Sequence, residues 1–341
     1  LGTVPGDSAG QVNVPGLTTF SGGLTTAAPQ VWNWTSWQGY DNVFLTKGIH
    51  SLKLGANFER MEDNSFSTSR PGGVWVFNSL SDFLTNQPLN ISVDLPGFLS
   101  PRGLRQTIFG TFIQDDAHVR PNLTLNLGVR YEIAGVPSEV QGKLASLPTM
   151  TATQPHVGNP IFANNTYRNI EPRAGFAWDP FHNGKTSVRG GFGIFDVLPL
   201  PIELRGAVFA VWPFFDSASA ANLPAGSFPS AVFSTLAPNE STARLDFIEQ
   251  HPPRNYAMQY NFNIQRSVTP NMTVMMAYVG SRGIHNVLQT DDSNDVLPTA
   301  TSQGYLWQSP SGSGMSLNPN LGLISSTFFA SCSYYNALEV E

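Results

Sequence analysis

The chain alternates between apolar and polar residues from Leu123 to Glu132. Leucine, valine and tyrosine occupy the odd-numbered positions of this run, and threonine, asparagine, glycine, arginine and glutamate occupy the even-numbered positions. A period of two residues predicts a β-strand with one apolar and one polar face. A second strand-like run, Thr107–Asp116, and the turn Arg120-Pro-Asn122 precede it. The segment is therefore predicted to form a β-hairpin.

Three further segments show comparable runs on both sides of a turn. Strand hairpins are predicted at about residues 31–60, 105–134, 168–196 and 254–284. The turns carry typical turn residues, such as Asn183-Gly184 in the third hairpin. The chain is thus predicted to be rich in paired strands.

Long segments separate the hairpins, and they are predicted to be loops at about residues 62–103, 136–166, 197–252 and 285–333. Soluble β domains rarely contain serial loops of this length, whereas outer-membrane barrels combine short periplasmic turns with long extracellular loops. The predicted fold is all-β, an antiparallel up-and-down transmembrane β-barrel, present as a partial barrel of about 8–9 strands with long extracellular loops. A soluble β-sandwich with one wet face per sheet is the alternative.

The composition favours the membrane barrel over the sandwich. Charged residues make up 12% of the chain, which is about half the usual share in soluble domains. The formal net charge of −6 predicts no basic surface and no nucleic-acid partner. The single cysteine, Cys332, excludes an internal disulfide framework and a multi-cysteine metal site. No run approaches the roughly 18 uninterrupted apolar residues of a transmembrane helix.

The sequence contains no arrangement that is typical of a catalytic centre. The histidines lie far apart without an H-E-x-x-H pair, and no G-x-S-x-G motif occurs. The acidic cluster Asp291–Asp295 lacks the glycine and the distal glutamate of a calcium loop, and a weak divalent-ion site there is the minority interpretation. We expect no catalytic residue, no metal site and no cofactor, and we predict that the protein is not an enzyme.

Two groups of residues are candidates for ligand binding: aromatic residues of the long loops and arginines on the polar strand faces. They are Trp75, Trp212, Phe214, Phe215, Arg130, Arg173 and Arg189. Exposed loop aromatics often contact ligands, but they can equally pack loops against one another. The arginines, facing a barrel lumen, could contact an anionic substrate or a plug domain, or belong to a hydrated charge network along the wall.

Several segments resemble one known family. QDDAHVRPNLTLNLGVRYE (Gln114–Glu132) resembles the Q-D-D-W-x-V-T-P-N-L-T-L-N-L-G-L-R-Y-E hairpin of Oar-like TonB-dependent outer-membrane receptors, the type with a carboxypeptidase regulatory domain. Further segments resemble that family's strands: Gly48–Arg60, Asn169–Phe195, Gln259–His285 and Tyr334–Val340. The match spans about residues 40–340. The sequence departs from the family at Ala117, where the family has tryptophan, and at Phe195, where a tyrosine is usual.

The resemblance implies a protein of the Gram-negative outer membrane that takes up an unidentified ligand, such as a siderophore, an oligosaccharide or a peptide. Extracellular loops and the lumen would bind the ligand. The resemblance also implies contact with outer-membrane lipid and with the TonB complex, through a plug domain and a TonB box. Such barrels have about 22 strands. Residues 1–341 are therefore expected to be a β-barrel fragment from which the plug is absent.

Two other functions stay open at this point. The first is a passive porin, or a structural or adhesive outer-membrane barrel, which would need no plug and no TonB box. The second is a secreted, soluble, glycan-binding β-sandwich, which would need no membrane.

Overall fold

The computed structural model describes residues 10–18, 30–67, 70–95, 97, 101–162, 167–204, 208–234, 236, 243–307 and 315–341. A sheet of 11 strands is the largest element. Its nine long strands are β1 (Gln30–Lys47), β2 (His50–Ser67), β3 (Arg102–Arg120), β4 (Leu123–Ala134), β5 (Ile170–Trp178), β6 (Thr186–Asp196), β7 (Tyr256–Thr269), β8 (Met272–Thr290) and β9 (Ile324–Val340). The predicted all-β fold class is confirmed.

The nine strands lie in the sheet in the same order as in the chain, and each neighbouring pair is antiparallel. This is the topology of an up-and-down sheet. Two short strands complete it: Leu245–Ile248 pairs in parallel with the beginning of β9, and Ser138–Glu139 pairs with β3. The order ends at β1, so the described residues do not close the barrel.

Short turns join successive strands at one edge of the sheet. The β1–β2 turn consists of Gly48 and Ile49, and Gly48 has a φ of 61°. A two-residue hairpin turn requires this left-handed backbone, which glycine adopts at little cost. In the β5–β6 turn, the Asp179 carboxylate accepts hydrogen bonds from the backbone N–H groups of Phe181 (3.2 Å) and Gly184 (2.7 Å). These local contacts fix the positions at which the chain reverses.

The connections at the other edge are long and comprise residues 68–101, 135–169, 197–255 and 291–323. A small sheet at this end contains Gln11–Asn13, Val74–Val76, Asn90–Asp94 and Ser217–Ala221. Other short elements are the strands Ala145–Ser146, His156–Val157, Thr299–Thr301 and Gly304–Leu306, the helix α1 (Leu80–Leu84) and the 3-10 helices Pro201–Leu204 and Ala231–Ser234. Among the described residues, no helix has the length and hydrophobicity that a membrane crossing requires.

The register gives the large sheet two chemically different faces. On the first, the apolar face, Leu54, Ile113 and Val129 lie side by side on β2, β3 and β4. On the second, the polar face, Lys53 of β2 pairs with Gln114 of β3. Ile113 and Val129 are 42% and 40% exposed. A continuous uncovered apolar surface is what the lipid-facing wall of a barrel requires.

The strands extend beyond the boundaries that the alternation predicts. β2 continues to Ser67, inside the loop expected at about residues 62–103. β8 continues to Thr290 and β9 begins at Ile324, both inside the loop expected at about residues 285–333. Strand pairing propagates through backbone hydrogen bonds, which do not depend on side-chain alternation. Alternation therefore marks only the part of each strand that has one apolar and one wet environment.

The long loops pack onto the polar face at the ends of the strands. Leu104, on the polar face of β3, is buried against Leu144, Phe162 and Phe209 of the loops. Burial of several large apolar side chains stabilises this contact by about 1.5–3 kcal/mol for each side chain. The loops are thus held by a hydrophobic core of their own.

Candidate functional site

Two of the cavities among the described residues differ in their chemistry and could hold a ligand. The first, the strand cavity, has a volume of about 410 Å³ and lies on the polar face of β2 to β5. Its lining includes Lys53, Gln114, Asn126, Arg130 and Arg173. The register explains the grouping, because Lys53, Gln114, Gly128 and Arg173 are successive partners across four strands.

The two arginines of the strand cavity are paired with carboxylates. Arg130 Nη2 donates to Glu132 Oε1 (2.5 Å) and to Asn57 Oδ1 (2.8 Å). Arg173 Nη2 donates to Glu171 Oε2 (2.7 Å). Charge-assisted hydrogen bonds of this kind hold both guanidinium groups in place. A ligand in this cavity would therefore meet two arginines whose charges are balanced by carboxylates, together with the charge of Lys53.

The other cations of the polar face lie in different surroundings. Lys53 Nζ lies 5.4 Å from the ring centroid of Phe44 and 5.5 Å from that of Phe112. Arg189 Nε donates to Ser187 Oγ (3.0 Å) and lies closer to the short turns, outside the lining of the strand cavity. The structure thus brings Arg130 and Arg173 together and separates Arg189 from them. Ligand binding by these arginines stays a prediction.

The four aromatic candidates of the loops are not gathered in one site. Trp75 is 0% exposed in the small sheet, and its ring meets that of Phe228 edge to face at 5.3 Å. Phe215 is 7% exposed. Trp212 and Phe214 are half-buried and pack against a second loop core, which includes Leu147 and Leu245. In this structure Trp75 packs loop elements together, Phe215 is buried, and Trp212 lines a cavity.

The second cavity, the loop cavity, has a volume of about 360 Å³ and lies where three long connections meet. It is lined by Thr153, Gln154, Pro155, Trp212, Leu245, Asn320 and Leu321. Sequence analysis identified only Trp212, as a loop aromatic. The other residues are ordinary polar and apolar loop residues that come together through folding, and no local pattern identifies them.

Two buried asparagines connect the walls of the loop cavity. Asn294 Nδ2 donates to the carbonyl oxygens of Asn318 (3.1 Å), Leu321 (3.1 Å) and Gly322 (2.7 Å), and its Oδ1 accepts from the Asn318 N–H (2.7 Å). Asn318 Nδ2 in turn donates to the carbonyl oxygen of Ala152 (2.8 Å). We call this pair the asparagine brace. Through Asn318, it links the segment that leads to Asn320 with Ala152, two residues before Gln154.

A buried carboxylate is next in the chain to a lining residue of the loop cavity. Asp246 follows the lining residue Leu245 and is 2% exposed. Burial raises the pKa of Asp246 to about 8, although the positive charge of Arg244 opposes the shift. Among the described residues, Asp246 Oδ1 has no hydrogen-bond partner. The neutral form of this side chain is therefore favoured in the folded loops.

The acidic cluster of the last loop has a structural explanation. Asp292 Oδ1 accepts hydrogen bonds from the N–H groups of Asn294 (2.8 Å) and Ile324 (3.3 Å). Within the described ranges, no group of three or more His, Cys, Asp or Glu side chains is placed to hold a metal ion.

The antiparallel sheet with one uncovered apolar face, short turns at one edge and packed loops at the other is the wall of an outer-membrane β-barrel. The whole chain, residues 1–341, matches the model of the family described as outer membrane beta barrel domain, and the chain belongs to this family. The protein is therefore located in the outer membrane, where its apolar face contacts lipid. The soluble β-sandwich is wrong, because the apolar faces meet lipid rather than a second sheet.

One solved structure supports this fold, and a second is similar at a lower score. The outer membrane transporter YddB from Escherichia coli matches with a TM-score of 0.51 and 11% identity, over 91% of this chain and 30% of that chain. A mutant of the ferric enterobactin receptor PfeA from Pseudomonas aeruginosa, in complex with enterobactin, matches with a TM-score of 0.43 and 10% identity, over 91% and 33%. The chain thus spans about a third of each solved chain. A comparison with curated protein sequences returned no match.

Proposed function

We propose that the protein is the barrel portion of a TonB-dependent receptor that takes up a ligand across the outer membrane. The observation that carries this proposal is the nine-strand meander, which turns tightly at one edge and packs its long loops on the polar face at the other. Receptors that bind before they transport require such ordered outer loops above a polar lumen.

The resemblance to Oar-like receptors supports the energised form of this function. The resembling segments Gly48–Arg60, Gln114–Glu132 and Asn169–Phe195 lie on β2 to β6, next to one another in the sheet. We propose that a plug domain and a TonB box, in parts of the protein other than residues 1–341, couple the barrel to the TonB complex. The long loops would be extracellular, the turns periplasmic, and the role would be transport rather than catalysis.

The candidate binding residues fall into two successive sites under this proposal. Trp212 would meet the ligand first, in the loop cavity. Arg130 and Arg173 would meet it, or the plug, in the strand cavity. Trp75, Phe214 and Phe215 would act indirectly, by holding the loops.

A passive porin is the second candidate, and conductance separates the two. The intact protein is reconstituted into planar bilayers, and the permeation of small ions is recorded without any ligand. A receptor whose lumen is filled by a plug gives no steady conductance, whereas a passive porin gives large, long-lived openings.

Energised transport is tested by uptake. Cells that produce the intact protein are given labelled oligosaccharides, oligopeptides or ferric enterobactin, with and without a functional TonB complex. We expect accumulation of one class of ligand that is lost without TonB. Equal accumulation in both strains would overturn the energised function and favour the porin.

A further inference from the structure

The loop cavity has the size and position of a primary binding site. Its volume of about 360 Å³ lies within the range of roughly 300–1,000 Å³ that is typical of small-molecule sites. Three separate connections contribute to it: residues 135–169, 197–255 and 291–323. A site at this place is met before the strand cavity by a ligand that approaches from the side of the loops.

Among the described residues, the lining of the loop cavity has no charged side chain. The strand cavity, in contrast, contains Lys53, Arg130 and Arg173. A charged ligand that entered the loop cavity would lose hydration without gaining an opposite charge, which is costly. The lining therefore favours a neutral ligand over an anionic siderophore or a charged peptide.

The uncharged polar groups of the lining are suited to hydroxyl groups. Gln154 and Asn320 are exposed carboxamides, and each offers both donors and acceptors. Thr153 adds a hydroxyl group. Trp212 and Pro155 are half-buried and offer apolar ring surface. A molecule with hydroxyl groups at its edge and C–H groups on its flat face satisfies both kinds of surface, and a pyranose ring has this structure.

The walls of the cavity are fixed before any ligand arrives. The asparagine brace joins the segment before Gln154 to the segment before Asn320. The Trp212 N–H donates to the Arg244 carbonyl oxygen (3.1 Å), and the Leu245 N–H donates to the Leu323 carbonyl oxygen (3.0 Å). Binding groups that are already ordered lose less entropy when a ligand binds. The cavity is thus organised as a site rather than as a gap between mobile loops.

We propose that the loop cavity binds a neutral saccharide, with a pyranose ring against Trp212 and its hydroxyl groups on Gln154 and Asn320. The inference deepens the proposed uptake function and rests on it for the fate of the bound sugar. The binding itself depends only on the cavity.

The test measures equilibrium binding to the intact protein in detergent by isothermal titration calorimetry. The probes are the neutral trisaccharides maltotriose, cellotriose and chitotriose, with trigalacturonate and ferric enterobactin as charged comparators. We expect at least one neutral trisaccharide to bind. Trp212→Ala should weaken its binding at least about tenfold, and Gln154→Ala and Asn320→Ala about fivefold each.

Two variants serve as matched controls. Trp307 and Gln303 are an exposed tryptophan and an exposed amide of the last loop, and neither lines the cavity. Trp307→Ala and Gln303→Ala should leave the affinity unchanged within about twofold. Gln154 and Asn320 are exposed, so their alanine variants should fold. They still test the site if Trp212→Ala lowers the yield of folded protein.

The saccharide site is overturned if no neutral trisaccharide binds, or if binding is equally strong in the Gln154→Ala and Asn320→Ala variants. A failure of the uptake function has a different signature. In that case the sugar binds and responds to the cavity variants, but its accumulation in cells does not depend on TonB. Conversely, TonB-dependent uptake of a charged ligand together with no sugar binding leaves the uptake function standing and removes the saccharide site.

Discussion

At the scale of single residues, glycines on the strand faces make room for large side chains of neighbouring strands. A Cβ atom built on Gly55 would lie 2.6 Å from the ring of Phe112, and one built on Gly110 would lie 2.7 Å from Arg130 Nη2. Ordinary contacts between carbon atoms are about 3.5–4.0 Å. These glycines therefore allow Phe112 and Arg130 to lie flat along the polar face and to shape the strand cavity.

We expect Gly55→Ala to destabilise the barrel by about 1–3 kcal/mol, because the added methyl group displaces the Asn42 carboxamide and the Phe112 ring. Gly39→Ala is the matched control, since a Cβ atom at Gly39 has no neighbour within 4 Å. The measurement is the urea midpoint of unfolding in detergent for both variants. Equal midpoints would show that these two side chains move at no cost.

A second prediction at this scale concerns pH. Burial raises the pKa of Asp246 to about 8, whereas an unfolded chain has an aspartate pKa of about 3.9. The folded state holds the proton more tightly, so the stability contributed by Asp246 is complete below about pH 3.9 and is lost as the pH rises through about 8. The loss is at most about 1.4 kcal/mol per pH unit.

Asp246→Asn removes this titration and keeps the shape of the side chain. We expect amide hydrogen exchange around residues 243–249 to accelerate less between pH 6 and pH 8.5 in the variant than in the wild type, after correction for intrinsic rates. Asp295→Asn, at an exposed position of a neighbouring loop, is the control and should retain the wild-type response. An identical response in Asp246→Asn would contradict the assigned pKa.

At the scale of elements, the strands and the loops depend on different interactions. The strands are held by continuous antiparallel pairing, from Lys47 opposite His50 to Met276 opposite Val340. The loops have little regular structure and depend on their hydrophobic clusters and on the asparagine brace. Asn294 and Asn318 are 3% and 2% exposed. Buried amides of this kind stabilise a structure only when their hydrogen bonds are satisfied.

We expect Asn294→Ala to destabilise the last loop by about 1–3 kcal/mol, because it leaves a buried N–H group and several carbonyl groups without their partner. Hydrogen exchange should accelerate in residues 318–323, while the paired strands β7 and β8 keep their protection. Gln303→Ala, at an exposed position of the same loop, should change neither. Protection that is unchanged in Asn294→Ala would show that the hydrophobic cluster alone holds this loop.

At the scale of the whole molecule, the sheet is asymmetric along its strands. The turns at one edge are short, whereas the loops at the other edge build a layer over the polar face. In outer-membrane barrels the short turns lie in the periplasm and the long loops lie outside the cell. The described sheet also stays open between β1 and β9.

Single cysteines test this orientation. In a Cys332→Ser background, Gln303→Cys places a thiol in the last loop and Ile49→Cys places one in the β1–β2 turn, and both positions are exposed. A membrane-impermeant maleimide added to intact cells should label the first variant and spare the second. Permeabilisation of the outer membrane should then expose both. If Ile49→Cys alone were labelled in intact cells, the turns would lie outside and the proposed orientation would be wrong.

Features that depend on neighbouring residues were predicted correctly from the sequence, and features that depend on distant residues were missed. Alternation on β4 and its neighbours predicted the antiparallel sheet, because consecutive residues of a strand point to opposite faces and the pattern can be read locally. The ends of β2 and β9 were missed, because loops cover the polar face there. The loop cavity was also missed, since Thr153, Trp212 and Asn320 lie far apart in the chain.

The sequence by itself determined the strand periodicity, the positions of the turns and the chemical character of the two faces. These properties depend on the order of neighbouring residues and on the backbone freedom of residues such as Gly48. Only the tertiary structure decided which arginines share the strand cavity, that Trp75 is buried, and that Gln154, Trp212 and Asn320 line one site. The physical reason is that these arrangements depend on register and on contacts between distant loops, and local sequence does not encode either.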